Sequence, residues 1–159
     1  MKKLDTYRSD QSGVAAIEAA LMFPFLLLTC FATIDVSFLM LQNHKMETGL
    51  TAAGNYLSKT RTPDQFETQA KRLATTGQIT AGGEKYIPNW SESDIVLTYN
   101  KVPNTPTQEG TLYRGGATID IIKLYSEYTY QGIGFISSLP GSPIKVTASY
   151  EERLIGSAL

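Results

Sequence analysis

Two carboxylates sit where carboxylates are costly. Glu18 and Asp35 interrupt an otherwise apolar run, SGVAAIEAALMFPFLLLTCFATIDV, residues 12–36. A charged side chain at the centre of a membrane helix costs about 2.5–3.5 kcal/mol on insertion scales, and less towards an end. Such a residue either marks the interface or serves a partner. Elsewhere the means for catalysis are thin. His44 is the sole histidine and Cys30 the sole cysteine, so a catalytic triad, an intrachain disulfide and a multi-ligand His/Cys metal site all lack parts. His44, beside Lys45, reads as a solvated residue on the exposed side of a helix. Glu151 and Glu152 are adjacent, but neighbours on a strand point to opposite faces and are poorly placed for joint acid–base work. No phosphate-binding loop or dinucleotide fingerprint occurs. The expectation is a non-enzyme with no cofactor, no metal and no small-molecule substrate.

The elements that must position Glu18 and Asp35 come next. From Ala19 to Ile34 there are 16 residues without a charge, and Val36–Leu41 adds six beyond Asp35. A bilayer core needs about 20 apolar residues in a helix, so residues 14–41 are read as a transmembrane helix with Asp35 near one interface. A buried core helix would be shorter and carry a polar stripe. A removable secretory signal has an apolar region of about 7–15 residues and a small-residue cleavage site behind it; this run is longer and no such site follows. A lipoprotein signal at Cys30 is disfavoured by Thr29, where a small residue such as Gly or Ala is expected. Lys2, Lys3 and Arg8 precede the span and Lys45 is the only nearby cation after it. The positive-inside bias then puts the N-terminus in the cytoplasm and exports residues 42–159. Of 14 Lys+Arg and 15 Asp+Glu, three cations and four anions (Asp5, Asp10, Glu18, Asp35) precede residue 42, leaving 11 of each sign beyond it. That balance, and a net charge of −1, give no electrostatic surface for nucleic acid.

Gly13 precedes Glu18 by five residues and follows a basic leader. This arrangement resembles a class III (type IV prepilin) signal, in which a membrane peptidase cuts after the glycine on the cytoplasmic side. "RSDQSGVAAIEAALMFPFLLL", residues 8–28, is further similar to the N-terminus of the TadE-like pseudopilins of the Tad (tight adherence, Flp) pilus system. Ala16, Glu18, Ala20, Leu21 and Pro24 fit its A-x-E-x-A-L-x-x-P core, whereas Ala19 stands where an aromatic usually follows the glutamate. "VTASYEERL", residues 146–154, resembles the strand with a late arginine that often closes these proteins. The resemblance implies cleavage between Gly13 and Val14, removal of residues 1–13 as a cytoplasmic leader, and retention of the span in the bacterial inner membrane. It implies other pilins and pseudopilins, a prepilin peptidase and a pilus assembly platform as partners. It also implies that Glu18 pairs with the N-terminal amine of a neighbouring subunit. An exported part of this size fits a minor subunit rather than a short major pilin. An uncleaved, signal-anchored periplasmic binding or scaffold module is the alternative. Pro24, inside the helix, removes one backbone bond and favours a kink. Asp35 has two readings, the outer interface or a pair to another span, and its place near the end of the run favours the first.

Beyond the bilayer the helix is expected to continue. Met46, Leu50, Ala53 and Leu57 form one apolar stripe opposite Lys45, Thr48, Asn55 and Lys59. Gly49 and Gly54 mark a bend or close packing. Residues 62–77 read as a second helix, with Thr62 as cap, Pro63 in the first turn and Gly77 as stop. Residues 77–90 are loop-like, and Asn89-Trp90-Ser91 within reach of it is a glycosylation-type triplet frequent by chance. Residues 94–102, 117–130 and 144–154 alternate as strands. The expected fold is α+β: a long N-terminal helix running into a small domain with a second helix and an antiparallel sheet. Tyr128 and Tyr130 share one strand face and Tyr125 takes the other, either as core or as a contact surface.

Overall fold

The computed structural model describes residues 12–105, 118–132, 134, 141 and 143–155. Residues 1–11, 106–117, 133, 135–140, 142 and 156–159 lie outside the described residues, and with them most of the expected leader. The molecule is α+β. Helix α1 runs unbroken from Ser12 to Ser58, 47 residues, or about 70 Å at ~1.5 Å per residue. It passes through Pro24 and through position 41 without interruption. Its end is closed by Thr60, whose N–H and hydroxyl both reach the Leu57 carbonyl, at 3.1 and 2.8 Å.

A 3-10 turn, Pro63–Phe66, leads into helix α2, Glu67–Thr76. Thr62, expected as the cap, makes no capping bond from its side chain. The Gln65 N–H is taken by the Thr62 backbone carbonyl at 3.1 Å, Pro63 has no N–H to offer, and the Thr62 hydroxyl turns to the Gln65 side-chain oxygen at 3.5 Å. Gly77 ends α2 as expected, in the left-handed region at φ 74°, with its N–H on the Leu73 carbonyl.

Strands β1 (Ile95–Pro103), β2 (Thr118–Thr129) and β3 (Lys145–Arg153) form one antiparallel sheet in the order β1-β2-β3. Each lies within a residue or two of its sequence expectation. Leu97 faces Leu124, and Leu124 faces Tyr150 across the ladder. One sheet face therefore carries Ile95, Ile122, Leu124, Tyr128, Val146 and Ala148, all buried. The other carries the exposed pairs Lys123–Glu151 at 2.8 Å and Lys145–Glu127 at 2.6 Å. Exposed pairs of this kind add about 0–1 kcal/mol each, so the apolar face holds the sheet in place.

The core lies between that face and α1. Met46, Leu50, Ala53 and Leu57 have no exposed surface, as the stripe requires. Ala70 and Ala74 of α2 close one side, and Ile87 and Trp90 fill the gap beside them. Trp90 donates its indole N–H to Ser126 Oγ at 2.8 Å, and Ser126 in turn donates to the Asp94 carbonyl at 2.9 Å. Gly49 and Gly54 serve close packing. A Cβ on Gly49 would strike the Ala74 carbonyl oxygen, and one on Gly54 would strike the Tyr150 ring. Tyr56 meets Phe66 edge to face, ring centroids 6.3 Å apart.

Candidate functional site

The lower half of α1 projects from the domain. Ile17, Leu21, Phe25 and Leu26 each leave about two thirds of their surface exposed (67, 65, 64 and 63 %), and the most apolar window of the helix is wholly uncovered. The first fully buried residue along α1 is Asp35. Residues 14–34 therefore form a free apolar rod of about 31 Å. That length matches the ~30 Å hydrocarbon core of a bilayer.

Within this rod and just above it the hydroxyl and carboxyl side chains are accounted for, with one exception. Thr29, Thr33 and Ser37 donate their hydroxyls to the carbonyls of Phe25, Thr29 and Thr33, at 2.7, 2.8 and 2.8 Å. Such back-bonding keeps hydroxyls satisfied where lipid offers no acceptor. The exception is Glu18, which is exposed and has no hydrogen bond or ion pair among the described residues. Seventeen residues separate it from Asp35, which turns it about 100° around the helix from the line facing the domain. Glu18 thus lies to the side of the line that faces its own chain's fold, and is exposed. Gly13 sits in the first turn with open space where a Cβ would be, and Val14 beside it is exposed. Pro24 lies six residues above Glu18, and its ring leaves the Ala20 carbonyl without the usual helical donor.

Asp35, by contrast, faces into the molecule. Its side chain has no exposed surface. The Tyr130 hydroxyl lies 2.6 Å from its Oδ1 and 2.8 Å from its backbone carbonyl oxygen. This contact joins the foot of the sheet to the helix at the level where the free rod ends. Seven residues higher, the Tyr128 phenol donates to Gln42 Oε1. Tyr128 of β2 and Tyr130 just past its end thus act in the seam with α1, while Tyr125 on the other face is exposed. Neither sequence reading of Asp35 contained a partner from its own chain. Same-face spacing of Tyr128 and Tyr130 was legible, but the direction in which β2 runs along α1 was not.

Burial pushes the Tyr128 phenol up to about 12, and burial together with the Asp35 bond raises Tyr130 as well. A phenol whose ionisation is raised in the folded state contributes stability that is complete below its free value near 10 and is lost as pH rises through the folded value. The denaturation midpoint is therefore expected to fall between about pH 10 and 12, and Tyr128→Phe to flatten that fall. Parallel decline in the two proteins would show that the seam phenols do not carry it.

Other groups remain apart. Glu151 pairs with Lys123 on the outer sheet face, whereas Glu152 accepts from Tyr150 on the inner one, so the two do not converge. His44 borders a cavity of about 500 Å³ with Lys45, Thr48, Gly49, Leu73 and Tyr86; these residues bring it neither a nucleophile–base pair nor a second metal ligand. No group of three potential metal ligands occurs among the described residues. The free rod itself presents one exposed carboxylate, Glu18, on an apolar helix. Residues 13–54, about a quarter of the chain, match the model of a family described as TadE-like protein. No curated protein and no solved structure matches the chain.

Proposed function

We propose, from the TadE-like character of residues 13–54, that this chain is a non-enzymatic minor pseudopilin of a Tad-type pilus, anchored in the inner membrane by the lower half of α1. The observation that carries the reading is the match falling on an exposed apolar rod of membrane length whose one carboxylate has no partner among the described residues of its own chain. The N-terminus lies in the cytoplasm and the α+β domain in the periplasm, by the distribution of Lys2, Lys3, Arg8 and Lys45. A prepilin peptidase cuts between Gly13 and Val14. That bond lies in the first helical turn, whose N–H groups lack partners within the helix, so local unwinding to fit a peptidase costs little. Cleavage frees an ammonium on Val14 in the same stretch as Glu18. The subunit then takes part, with other pilins and the assembly platform, in building a pilus for adherence and biofilm formation.

The mass of the protein recovered from its native membrane tests this directly. The expected chain begins at Val14. A chain that keeps Met1 would instead fit an uncleaved signal-anchored scaffold module, and one beginning beyond residue 41 would remove the anchor on which the proposal stands.

A further inference from the structure

The seam between α1 and the sheet has two unlike halves. Its upper half is apolar, with Met46, Leu50, Ala53 and Leu57 under Ile122 and Leu124. Its lower half is polar, with Gln42 under Tyr128 and Asp35 under Tyr130. At the lowest point the backbone comes closer still. A side chain on Gly132 would run into the Asp35 carboxylate and the Tyr130 ring. The start of β3 is held at the same level, since the Tyr130 N–H bonds the Ile144 carbonyl at 2.8 Å. From Gln131 to Ile144 the sequence carries no charge.

A buried carboxylate is an expensive way to fasten two elements. Its value lies in what happens when the contact opens. Asp35 is the first residue above a rod of bilayer length, so an opened seam would leave a bare carboxylate at the edge of the hydrocarbon. An intramembrane or boundary charge without a shield is disfavoured, and the closed arrangement is the one that shields it. An apolar residue at this position would carry no such penalty for opening.

We propose that Asp35 is a positioning residue. Through Tyr130 it latches the foot of the sheet to α1 at the membrane boundary and so fixes the height and tilt of the domain over the bilayer. The latch holds the foot of the sheet at the level of the lipid headgroups, whichever subunits the domain later meets.

The test uses the full chain in phosphatidylethanolamine–phosphatidylglycerol nanodiscs, with spin labels on native Cys30 and on a Thr129→Cys variant. Thr129 is exposed at the foot of β2, and Cys30 is the only native cysteine. Pulsed dipolar distances should be narrow in the otherwise unaltered chain. Tyr130→Phe should at least double the width of the distribution while leaving Trp90 emission unchanged, since that indole is held elsewhere by Ser126. Asp35→Asn keeps an acceptor oxygen for the phenol but loses the charge that penalises opening, and should broaden too. The latch is overturned by a Tyr130→Phe distribution as narrow as the parent. It is overturned equally by an Asp35→Asn distribution as narrow as the parent, which would take the role from the carboxylate charge. Red-shifted Trp90 emission in Tyr130→Phe would make Tyr130 a general core residue and end the proposal too. None of these readouts depends on pilus assembly, so failure of the latch and failure of the pseudopilin reading remain separable.

Discussion

Glu18→Ala should insert into the membrane as well as the parent protein and yet fail to bring its partner subunits through purification. Insertion is not at risk, because the substitution removes a charge from the rod, and such a charge costs up to about 2.5–3.5 kcal/mol at the helix centre. Association is at risk because Glu18 is exposed and has no partner among the described residues. In a cluster of apolar helices, a carboxylate is tolerated when another chain supplies a cation, and the amine of a processed Val14 is the cation the proposal provides. Removing one member leaves the other charge buried and unpaired, a loss of about 3–5 kcal/mol for a buried pair. Each 1.4 kcal/mol is a factor of ten, so even a pair worth a third of that figure lowers co-purification about tenfold. Glu18→Gln should behave like alanine if the charge matters. Equal recovery of partner subunits with either variant would remove Glu18 from assembly.

Trp90→Ala should be the most damaging single substitution within the domain. The side chain has no exposed surface and lies against Gly49, whose missing side chain makes room for it. Its indole N–H completes a relay through Ser126 to the Asp94 carbonyl, so truncation opens a cavity and strands a hydroxyl. Losses for buried Trp or Phe to Ala are about 3–5 kcal/mol, against a total of about 5–15 kcal/mol for a domain. Urea unfolding followed by tyrosine near-ultraviolet dichroism should show the midpoint collapsing. A loss below about 1 kcal/mol, the range of ordinary surface changes or mild core changes, would mean that Trp90 is not the filler described.

Periodic features were legible from the residues because their cause is local. The stripe Met46, Leu50, Ala53 and Leu57 predicts a buried helix face by spacing alone, and alternation predicts three strands. Gly77 predicts a helix end because its left-handed backbone is a local property. Glu18 stood out since the cost of a charge in lipid does not depend on the rest of the fold. Features made by meeting of distant segments were not legible. Trp90 lies in a stretch that reads as loop, and its burial follows from Gly49 and Ser126, 41 residues before and 36 after it. Asp35 and Tyr130 are 95 residues apart, and their contact depends on which end of β2 descends along α1. Thr62 makes no cap because its backbone carbonyl holds the Gln65 N–H while its hydroxyl turns to the Gln65 side chain, a competition that residue type alone does not decide.

One further consequence follows from the chain's end. The Ile155 N–H bonds the Ser58 carbonyl at 2.9 Å, so the last strand is tied to the top of α1 while Tyr130 is tied to Asp35 below. The helix that anchors the protein is also the spine of its domain, gripped at both ends over residues 35–58. A pull along the helix axis, as when a subunit is drawn out of a bilayer, therefore loads many contacts in shear at once rather than peeling them one by one. Resistance to such pulling is set by the rate of unfolding, and a spine loaded in this manner lets the domain follow its anchor without coming apart.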